Sequence, residues 1–244
     1  MGTKHRTVVV TGGSSGIGAA VCRHLIDSGI EVINLSLERP ASSVDGMHTI
    51  EIDLANRDLL KDIAAALPAR FDITGLVHCA GVIRPDLLEN VELDVLDYLN
   101  QVHIGSAITL AQAFIPAMKR NAFGRIVLIS SRAALGLQTR SSYSATKAGL
   151  IALARTWALE LGGFGITVNT VAPGPITGTR MFHDVVPEGS EKIDQMATSI
   201  PVQRLGTPDD VARAVLFFND PANSFVTGQT LMVCGGASLG SLSI

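Results

Sequence analysis

Short runs of aliphatic and β-branched residues recur along this chain, and most are followed by a turn and then by a helical pattern. The runs at Val8–Val10 and Ile126–Ile129 are apolar on both faces, which is typical of parallel strands covered by helices on either side. The pattern predicts strands at Thr7–Val10, Glu31–Leu35, Met47–Ile52, Ile73–Cys79, Arg125–Ser130, Thr167–Val171 and Thr230–Cys234, and helices from about Ile17 to Leu25, before Ala66, and over Leu93–Lys119, Ser142–Leu161 and Pro208–Phe218.

The regular alternation of strands and helices predicts an α/β fold in which a doubly wound parallel sheet has helices on both faces. Hydrophobic residues make up 47% of the 244 residues, which is enough to bury one sizeable core. We therefore expect a single domain over residues 1–244 without a linker. Ligands of such sheets bind at the carboxyl ends of the strands, so the loops after the strands should carry the chemistry.

Composition excludes several classes of partner. A formal net charge of −3 argues against nucleic acid, because proteins that bind it usually carry a basic patch. The longest apolar runs fall far short of the roughly 18 residues that a spanning helix needs, and no signal peptide is recognised, so we expect a cytoplasmic protein without a membrane partner. Cys22, Cys79 and Cys234 are scattered and lack metal-ligand spacing, which fits a reducing compartment and predicts no metal.

A glycine-rich turn, Thr11–Gly18, lies directly between the first predicted strand and the first predicted helix. A phosphate at a helix N-terminus needs unobstructed backbone N–H groups and gains from the positive end of the helix dipole. Gly12, Gly16 and Gly18 would supply the tight turn and the close approach, although a purely structural turn is the alternative. The predicted nucleotide-binding positions here are Gly12, Ser14, Ser15, Gly16, Ile17 and Gly18.

With its spacing Thr-Gly-x-x-x-Gly-x-Gly, this turn resembles the nucleotide motif of the short-chain dehydrogenase/reductase family. The resemblance continues over nearly the whole chain through His78–Gly81, Ser130, Tyr143–Lys147 and Pro173-Gly174. It implies a Rossmann fold and a nicotinamide-dependent oxidoreductase, acting on CH-OH groups, that interconverts a carbonyl and a secondary alcohol. The overall pattern is most similar to 3-oxoacyl-carrier-protein reductases, and dehydrogenases of cyclic alcohols and diols share it.

The end of the second predicted strand bears on which nucleotide is bound. Folds that bind NAD usually place a carboxylate there to hold the ribose 2′-hydroxyl, but this chain has Ser36. Ser36 could donate to a 2′-phosphate and Arg39 could pair with it, so we expect NADP(H) to be favoured over NAD(H), with Glu38 as the opposing signal. The resemblance places Asp53 and Leu54 against the adenine, whereas the residues alone also allow Asp53 to cap the next helix.

Tyr143 and Lys147 lie four residues apart on a predicted helix, which puts both side chains on one face. Lowering the pKa of a phenol from about 10 by ~3 units needs ~4 kcal/mol, and one cation at ~4 Å in an effective dielectric of ~20 supplies about that much. We therefore expect Lys147 to make Tyr143 acidic enough to exchange a proton with the substrate oxygen, with both residues also contacting the nucleotide. The resemblance makes Ser130 the hydroxyl that orients this oxygen.

The fourth catalytic position of the family, an Asn on the long helix after strand four, is His103 here. The family role depends partly on a backbone carbonyl, which any residue supplies. His103 could extend a proton relay because imidazole titrates near neutrality. It could also only fill space and bond to neighbouring backbone, and we slightly favour this second interpretation.

Further nucleotide contacts follow from the resemblance at small residues after strand four and in the turn after strand six. The first group passes the ribose, and the second holds the carboxamide of the nicotinamide. The positions are Ala80, Gly81, Pro173, Gly174, Ile176 and Thr179, with Thr177 as an alternative to Thr179.

Residues 178–200 combine apolar side chains with turn residues, which predicts a substrate lid that closes to exclude water; a plain surface excursion is the alternative. The predicted loops after strands four and five carry polar residues on the substrate side. These could meet an acidic group or be solvated, and none is assigned to the site: Arg84, Arg132, Gln138 and Arg140.

Two kinds of function fit these features. One is an enzyme that acts on a small carbonyl or alcohol, and the other is a non-catalytic dinucleotide-binding sensor on the same fold. A sensor would be expected to lose the Tyr143/Lys147 pair, and this chain keeps it. By analogy with the family we also expect a homo-oligomer, a tetramer or a dimer.

Overall fold

A single parallel sheet of seven strands organises the chain, in the order β3-β2-β1-β4-β5-β6-β7. The computed structural model describes residues 6–239. The strands are β1 (Thr7–Thr11), β2 (Glu31–Ser36), β3 (Met47–Glu51), β4 (Ile73–His78), β5 (Gly124–Ile129), β6 (Ile166–Pro173) and β7 (Thr230–Val233), and the helices are α1 (Gly16–Asp27), α2 (Arg57–Ala66), α3 (Leu93–Asn100), α4 (Ser106–Arg120), α5 (Ser141–Leu161), α6 (Arg180–His183), α7 (Lys192–Ser199) and α8 (Pro208–Asn219).

Strand β1 is the third strand in this order and pairs in parallel with β2 on one side and β4 on the other. The chain therefore winds outward in both directions from β1, which confirms the predicted doubly wound Rossmann sheet. A crevice opens at the carboxyl ends of the strands where the winding reverses.

Helices cover both faces of the sheet and form two cores. Helices α2, α4 and α5 pack on one face, and α1 and α8 pack on the other. Val9 belongs to the first core while Val8 and Val10 belong to the second, because successive side chains of a strand point to opposite faces. This double burial explains why the strands are continuous apolar runs.

The long helix predicted over Leu93–Lys119 is interrupted, and this prediction is corrected. Between α3 and α4 the chain forms a wider, π-helical turn at Gln101–Gly105. Ser106 Oγ donates to the Val102 carbonyl at 2.6 Å and so competes with the backbone ladder at this point. Such turns are frequent at functional sites, and this one carries His103 into the interior.

Within residues 6–239, no helix combines the length and the apolar character that a membrane crossing requires. The same range holds no cluster of His, Cys, Asp and Glu side chains that could bind a metal ion. Its three cysteines are free thiols. The ends of the predicted domain, 1–5 and 240–244, lie outside the described residues.

Candidate active site

The glycine-rich turn after β1 is fastened to β2 by polar side chains. Gly13 N–H donates to Asn34 Oδ1 at 2.8 Å, and Ser14 N–H donates to Ser36 Oγ at 3.3 Å. Ser36 in turn donates to Asn34 Oδ1 at 2.8 Å and is buried. Asn34, which the sequence did not single out, is thus the anchor of the turn, and the Ser36 hydroxyl is already used in holding it.

The turn itself has no room for side chains, as a phosphate cradle requires. A Cβ added at Gly18 would lie 2.1 Å from the Gly12 carbonyl oxygen, and one added at Gly12 would lie 3.0 Å from Ala80 Cα. Gly12 and Gly16 also have positive φ angles of 70° and 52°. Helix α1 begins at Gly16, after Ser15, whose side chain makes no capping hydrogen bond. The first N–H groups of α1 are therefore not capped by Ser15, and the turn fits the pyrophosphate of a dinucleotide.

The charged residues near the end of β2 are arranged differently from the prediction. Arg39 forms an exposed ion pair with Glu51, so its guanidinium is engaged elsewhere. The cation next to this loop is instead Arg180 of α6, which pairs with Glu38 at 3.1 Å, while Ser14 Oγ donates to the Glu38 carbonyl at 2.6 Å. Arg180 and Glu38 are 142 residues apart, so no local pattern could have revealed the pair.

Asp53 follows β3 with an exposed side chain, and Leu54 beside it is buried. Helix α2 is capped by Asn56, whose Oδ1 accepts a hydrogen bond from Leu59 N–H at 3.1 Å. The alternative interpretation of Asp53 as the helix cap is therefore wrong. Its carboxylate instead accepts a hydrogen bond from Ala55 N–H at 2.9 Å.

The chain after β4 passes closely over the end of β1. Thr11 Oγ1 accepts hydrogen bonds from the N–H groups of Cys79 and Ala80, both at 3.0 Å. A Cβ added at Gly81 would lie 3.1 Å from Lys147 Nζ and 3.2 Å from His103 Nε2, so a side chain there would press on both groups. The small residues predicted here therefore fit a closely packed part of the chain.

The turn after β6 is fixed to β7. Gly174 N–H donates to the Val233 carbonyl at 2.9 Å, and a Cβ added at Gly174 would lie 2.7 Å from Cys234 Cβ. Two positions further on, Ile176 is buried and forms an isolated bridge with Gly206. This turn therefore presents a rigid edge to the crevice.

A cavity of about 230 Å³ opens at the carboxyl ends of β5 and β6 and brings together the predicted catalytic Ser130, Tyr143 and Lys147 with several predicted nucleotide contacts. Residues 178–200 form one of its walls, with Thr179 Oγ1 accepting a hydrogen bond from Phe182 N–H at the start of α6. Thr179 rather than Thr177 faces the cavity. Its lining includes Ile17, Gly81, Ser130, Tyr143, Lys147, Pro173, Gly174, Ile176 and Thr179 from the predicted sites, and Met181, Phe182, Val185, Val186 and Met196 from the predicted lid.

Tyr143 and Lys147 lie on one face of α5, as their spacing predicts, and are 6% and 2% exposed. Lys147 Nζ is 5.7 Å from the centroid of the Tyr143 ring and donates to the Ile129 carbonyl at 2.8 Å. The phenol oxygen is 3.8 Å from Met181 Sδ in the wall of the cavity. The structure therefore brings a phenol and an ammonium group together at the floor of this cavity.

Burial dominates the titration of both groups. It raises the pKa of Tyr143 to about 12, an effect that a hydrogen bond with Ser131 and the charge of Arg140 only partly offset. Burial also lowers the pKa of Lys147 to about 8. The prediction that Lys147 lowers the pKa of Tyr143 is therefore wrong for the polypeptide itself, because the exclusion of water from the phenol has the largest effect and the cation that acts against it is Arg140 rather than Lys147.

Two serines at the end of β5, Ser130 and Ser131, line the cavity together with the phenol. Ser130 Oγ is buried and donates to the Lys147 carbonyl at 2.6 Å, so its hydrogen bond secures α5 to the end of β5. Ser131 Oγ accepts from Ala133 N–H at 3.1 Å and interacts with Tyr143. The role predicted for Ser130 stays a prediction, and Ser131 is a second hydroxyl in the same cavity that the sequence did not single out.

His103 is buried with both ring nitrogens bonded. Val82 N–H donates to its Nε2 at 3.1 Å, so Nδ1 carries the hydrogen and donates to Thr146 Oγ1 at 2.9 Å. Burial and the nearby charge of Lys147 hold the pKa of His103 well below its usual range. A neutral imidazole engaged on both sides supports the structural role that we favoured over a proton relay.

We expect His103→Ala to affect stability more than chemistry. The change leaves Val82 N–H and Thr146 Oγ1 without their partner and opens a cavity, which should lower the free energy of unfolding by roughly 2–4 kcal/mol. Urea unfolding measures this loss, and kcat of the folded fraction should fall less than about tenfold. A drop of several hundredfold in kcat with little loss of stability would instead support a proton-relay role for His103.

Comparison with known proteins gives consistent results. A model of the Enoyl-(Acyl carrier protein) reductase family matches residues 12–238. Subunit BbsD of a hydroxy(phenyl)methylsuccinyl-CoA dehydrogenase from Thauera aromatica is 36% identical over 98% of this chain and 99% of that protein. The 3-oxoacyl-acyl-carrier-protein reductase FabG of Thermotoga maritima is 33% identical over 95% of this chain and 97% of that protein. A crystal structure described as an NAD(P)-dependent gluconate 5-dehydrogenase from Beutenbergia cavernae, with NADP bound at low occupancy, has a TM-score of 0.87 and 31% identity, covering 96% of this chain and 97% of that one.

Proposed function

Because this chain belongs to the short-chain dehydrogenase/reductase family, whose members interconvert carbonyls and alcohols with NAD(P)(H), we propose that Tyr143 is its proton donor and a 3-oxoacyl compound its substrate. A cyclic ketone or diol is the alternative substrate class. The observation that carries the proposal is the cavity that joins the buried Tyr143/Lys147 pair to Ile17 at the end of the glycine-rich turn and to Pro173 and Gly174 after β6. The FabG and BbsD relatives, named for 3-oxoacyl and acyl-CoA compounds, favour the acyl substrate.

The nucleotide, when bound, supplies the hydride for reduction and accepts it for oxidation. Among the residues present, the turn after β1 would hold the pyrophosphate, the edge of β3 the adenine, and the turn after β6 the nicotinamide. The proposed contacts are Gly12, Ser14, Ser15, Gly16, Ile17, Gly18, Ser36, Asp53, Leu54, Ala80, Gly81, Tyr143, Lys147, Pro173, Gly174, Ile176 and Thr179.

In the direction of reduction, the carbonyl oxygen takes a proton from Tyr143 Oη as the carbon receives the hydride. Ser130 orients this oxygen through its hydroxyl, and the Lys147 ammonium stabilises the phenolate that remains. Residues 178–200 act as a lid whose apolar side chains exclude water during the reaction. His103 is a positioning residue that holds the chain at Val82 in place.

We expect the rate of reduction to fall with rising pH. Tyr143 stays protonated to a pKa of about 12, while Lys147 loses its proton around its pKa of about 8. The ammonium form that supports the phenolate is present below that value, so kcat should be level below about pH 8 and decline above it. In a Lys147→Arg variant the positive charge persists to a much higher pH, so the residual kcat of this variant should not decline above pH 8. The same decline in the variant as in the wild type would show that Lys147 is not its cause.

We also propose NADP(H) over NAD(H) as the preferred nucleotide. Position 36 has no carboxylate to repel a 2′-phosphate, and Arg180 places a cation next to the same loop through its pair with Glu38. Arg39 is paired with Glu51, so it supports this preference only by releasing Glu51 and pairing with the 2′-phosphate. The Beutenbergia cavernae structure, which has NADP bound, favours the same choice.

The active protein is proposed to be a cytoplasmic homo-oligomer, a tetramer or a dimer, in which each chain forms one dinucleotide-binding and catalytic domain. Leu159 of α5 and Phe225 are large apolar side chains with almost full exposure, which a second copy of the chain would cover. Gel filtration with light scattering measures the mass of the particle, and a monomer at micromolar concentration would contradict this assembly.

The absorbance of the reduced nicotinamide tests the activity. We expect the protein to consume NADPH faster than NADH with 3-oxoacyl thioesters, and cyclic ketones offered in parallel distinguish the alternative substrate class. Binding of the nucleotide without turnover of any carbonyl compound would identify a dinucleotide sensor and overturn the proposal. Faster turnover with NADH would overturn the nucleotide preference alone.

A further inference from the structure

Arg140 is a buried cation in the wall of the cavity. Its side chain is 9% exposed, it lines the cavity, and it forms no ion pair within residues 6–239. Its Nη1 donates to the carbonyl and the hydroxyl of Thr139, while its Nε–H has no partner in the described part of the chain. A guanidinium has five N–H donors in a planar fork, so most of its capacity is unused here.

The backbone next to Arg140 is strained in a way that holds this side chain. Thr139 has a φ of 64°, in the left-handed region that a β-branched residue rarely occupies. This conformation allows both Thr139 oxygens to accept hydrogen bonds from Arg140, and Asp86 N–H donates to the same Thr139 carbonyl at 3.0 Å. Strain of this kind is typical of positions that serve a ligand.

The polypeptide offers no countercharge to Arg140 inside the cavity. No Asp or Glu is among the described residues that line it, and its other cations are Arg132 and Lys147. Burial lowers the pKa of Arg140, which reflects the cost of keeping an unpaired charge out of water. An anion that enters the cavity would supply the missing charge and fill the open fork.

We propose that Arg140 is a specificity-determining residue that binds a carboxylate of the substrate. Arg140 is the N-cap residue of α5, and its side chain and Tyr143 line the same cavity, so a carboxylate bound to Arg140 shares this cavity with the oxygen that Tyr143 protonates. The apolar wall, with Met181, Phe182 and Val186, receives the rest of the molecule. The substrate is therefore an oxo or hydroxy compound with a nearby carboxylate and an apolar substituent, a conclusion that rests on the proposed function.

A panel of secondary alcohols tests this specificity, each offered as the carboxylic acid and as the neutral amide. 3-Hydroxy-3-phenylpropanoate and 3-hydroxy-3-phenylpropanamide form one such pair. The wild type should favour the acids by about 10- to 150-fold in kcat/KM, since a hydrogen bond to a charged group contributes about 1.5–3 kcal/mol. Arg140→Gln should remove this preference mainly through KM, while Arg140→Lys should keep part of it.

Calorimetry with 3-phenylpropanoate, which lacks the reacting hydroxyl, separates binding from turnover. The wild type should bind it more tightly than 3-phenylpropanamide, and Arg140→Gln should not distinguish the two. Arg155→Gln, which removes an exposed charge from the same helix, serves as the matched control and should retain the preference. Equal binding of acid and amide by the wild type would overturn the proposal. If the wild type preferred the acid in binding but turned over none of the alcohols, the result would count against the enzymatic function alone.

Discussion

The Tyr143→Phe protein should bind the nucleotide as tightly as the wild type and reduce carbonyl compounds about a thousandfold more slowly. The substitution removes only the hydroxyl, so the buried ring and its packing stay in place, while the substrate oxygen loses its proton donor. General acid catalysis contributes typically 10²–10⁴-fold, which sets the size of the loss. Because the effect is on chemistry, kcat should carry most of it.

Tyr98→Phe is the matched control for this experiment. Tyr98 is the second of the two tyrosines in the chain and does not line the cavity. Its variant should keep wild-type kcat. Calorimetric titration with nucleotide confirms that the Tyr143→Phe site is intact, and full turnover by that variant would refute the assigned donor.

Gly18→Ala should abolish nucleotide binding. The added methyl group would lie 2.1 Å from the Gly12 carbonyl oxygen, a distance that real contacts do not reach, so the turn has to shift. Since the backbone N–H groups of this turn must converge on one phosphate, we expect the affinity for the nucleotide to fall by at least about a hundredfold, roughly 3 kcal/mol. Calorimetry measures the affinity, and thermal unfolding measures the accompanying loss of stability.

Gly162→Ala provides the matched control, because no atom lies within 4 Å of a Cβ added there and its φ of −56° suits any residue. This variant should bind the nucleotide normally and be at least as stable as the wild type. If Gly18→Ala kept wild-type affinity, the glycine-rich turn would not be the site of the phosphates.

The structural features that depend on local sequence patterns were predictable from the sequence. Alternating apolar strands and helical periods are set by burial on two faces, and they predicted the doubly wound sheet, whose strands pair as expected around β1. The spacing of Tyr143 and Lys147 placed both on one face of α5, since residues four apart on a helix are neighbours. The same holds for the glycines of the turn, whose positions follow directly from the strand and helix on either side.

The remaining features depend on contacts between distant segments. The hydrogen bond from Ser130 Oγ to the Lys147 carbonyl depends on how the chain leaves β5 against α5, which no spacing reveals. Arg180 reaches Glu38 across the fold. The pKa of Tyr143 was misjudged because four-residue spacing gives a charge separation but says nothing of the water that packing excludes.

The distance between Tyr143 Oη and the oxygen of a bound substrate tests the central claim most directly. A crystal structure of the protein with NADP and an unreactive oxo or hydroxy compound would supply it. The account predicts that this oxygen lies within hydrogen-bonding distance of Tyr143 Oη, about 2.6–3.2 Å, and close to Ser130 Oγ. A substrate oxygen bound to another donor, with Tyr143 Oη beyond reach, would contradict it.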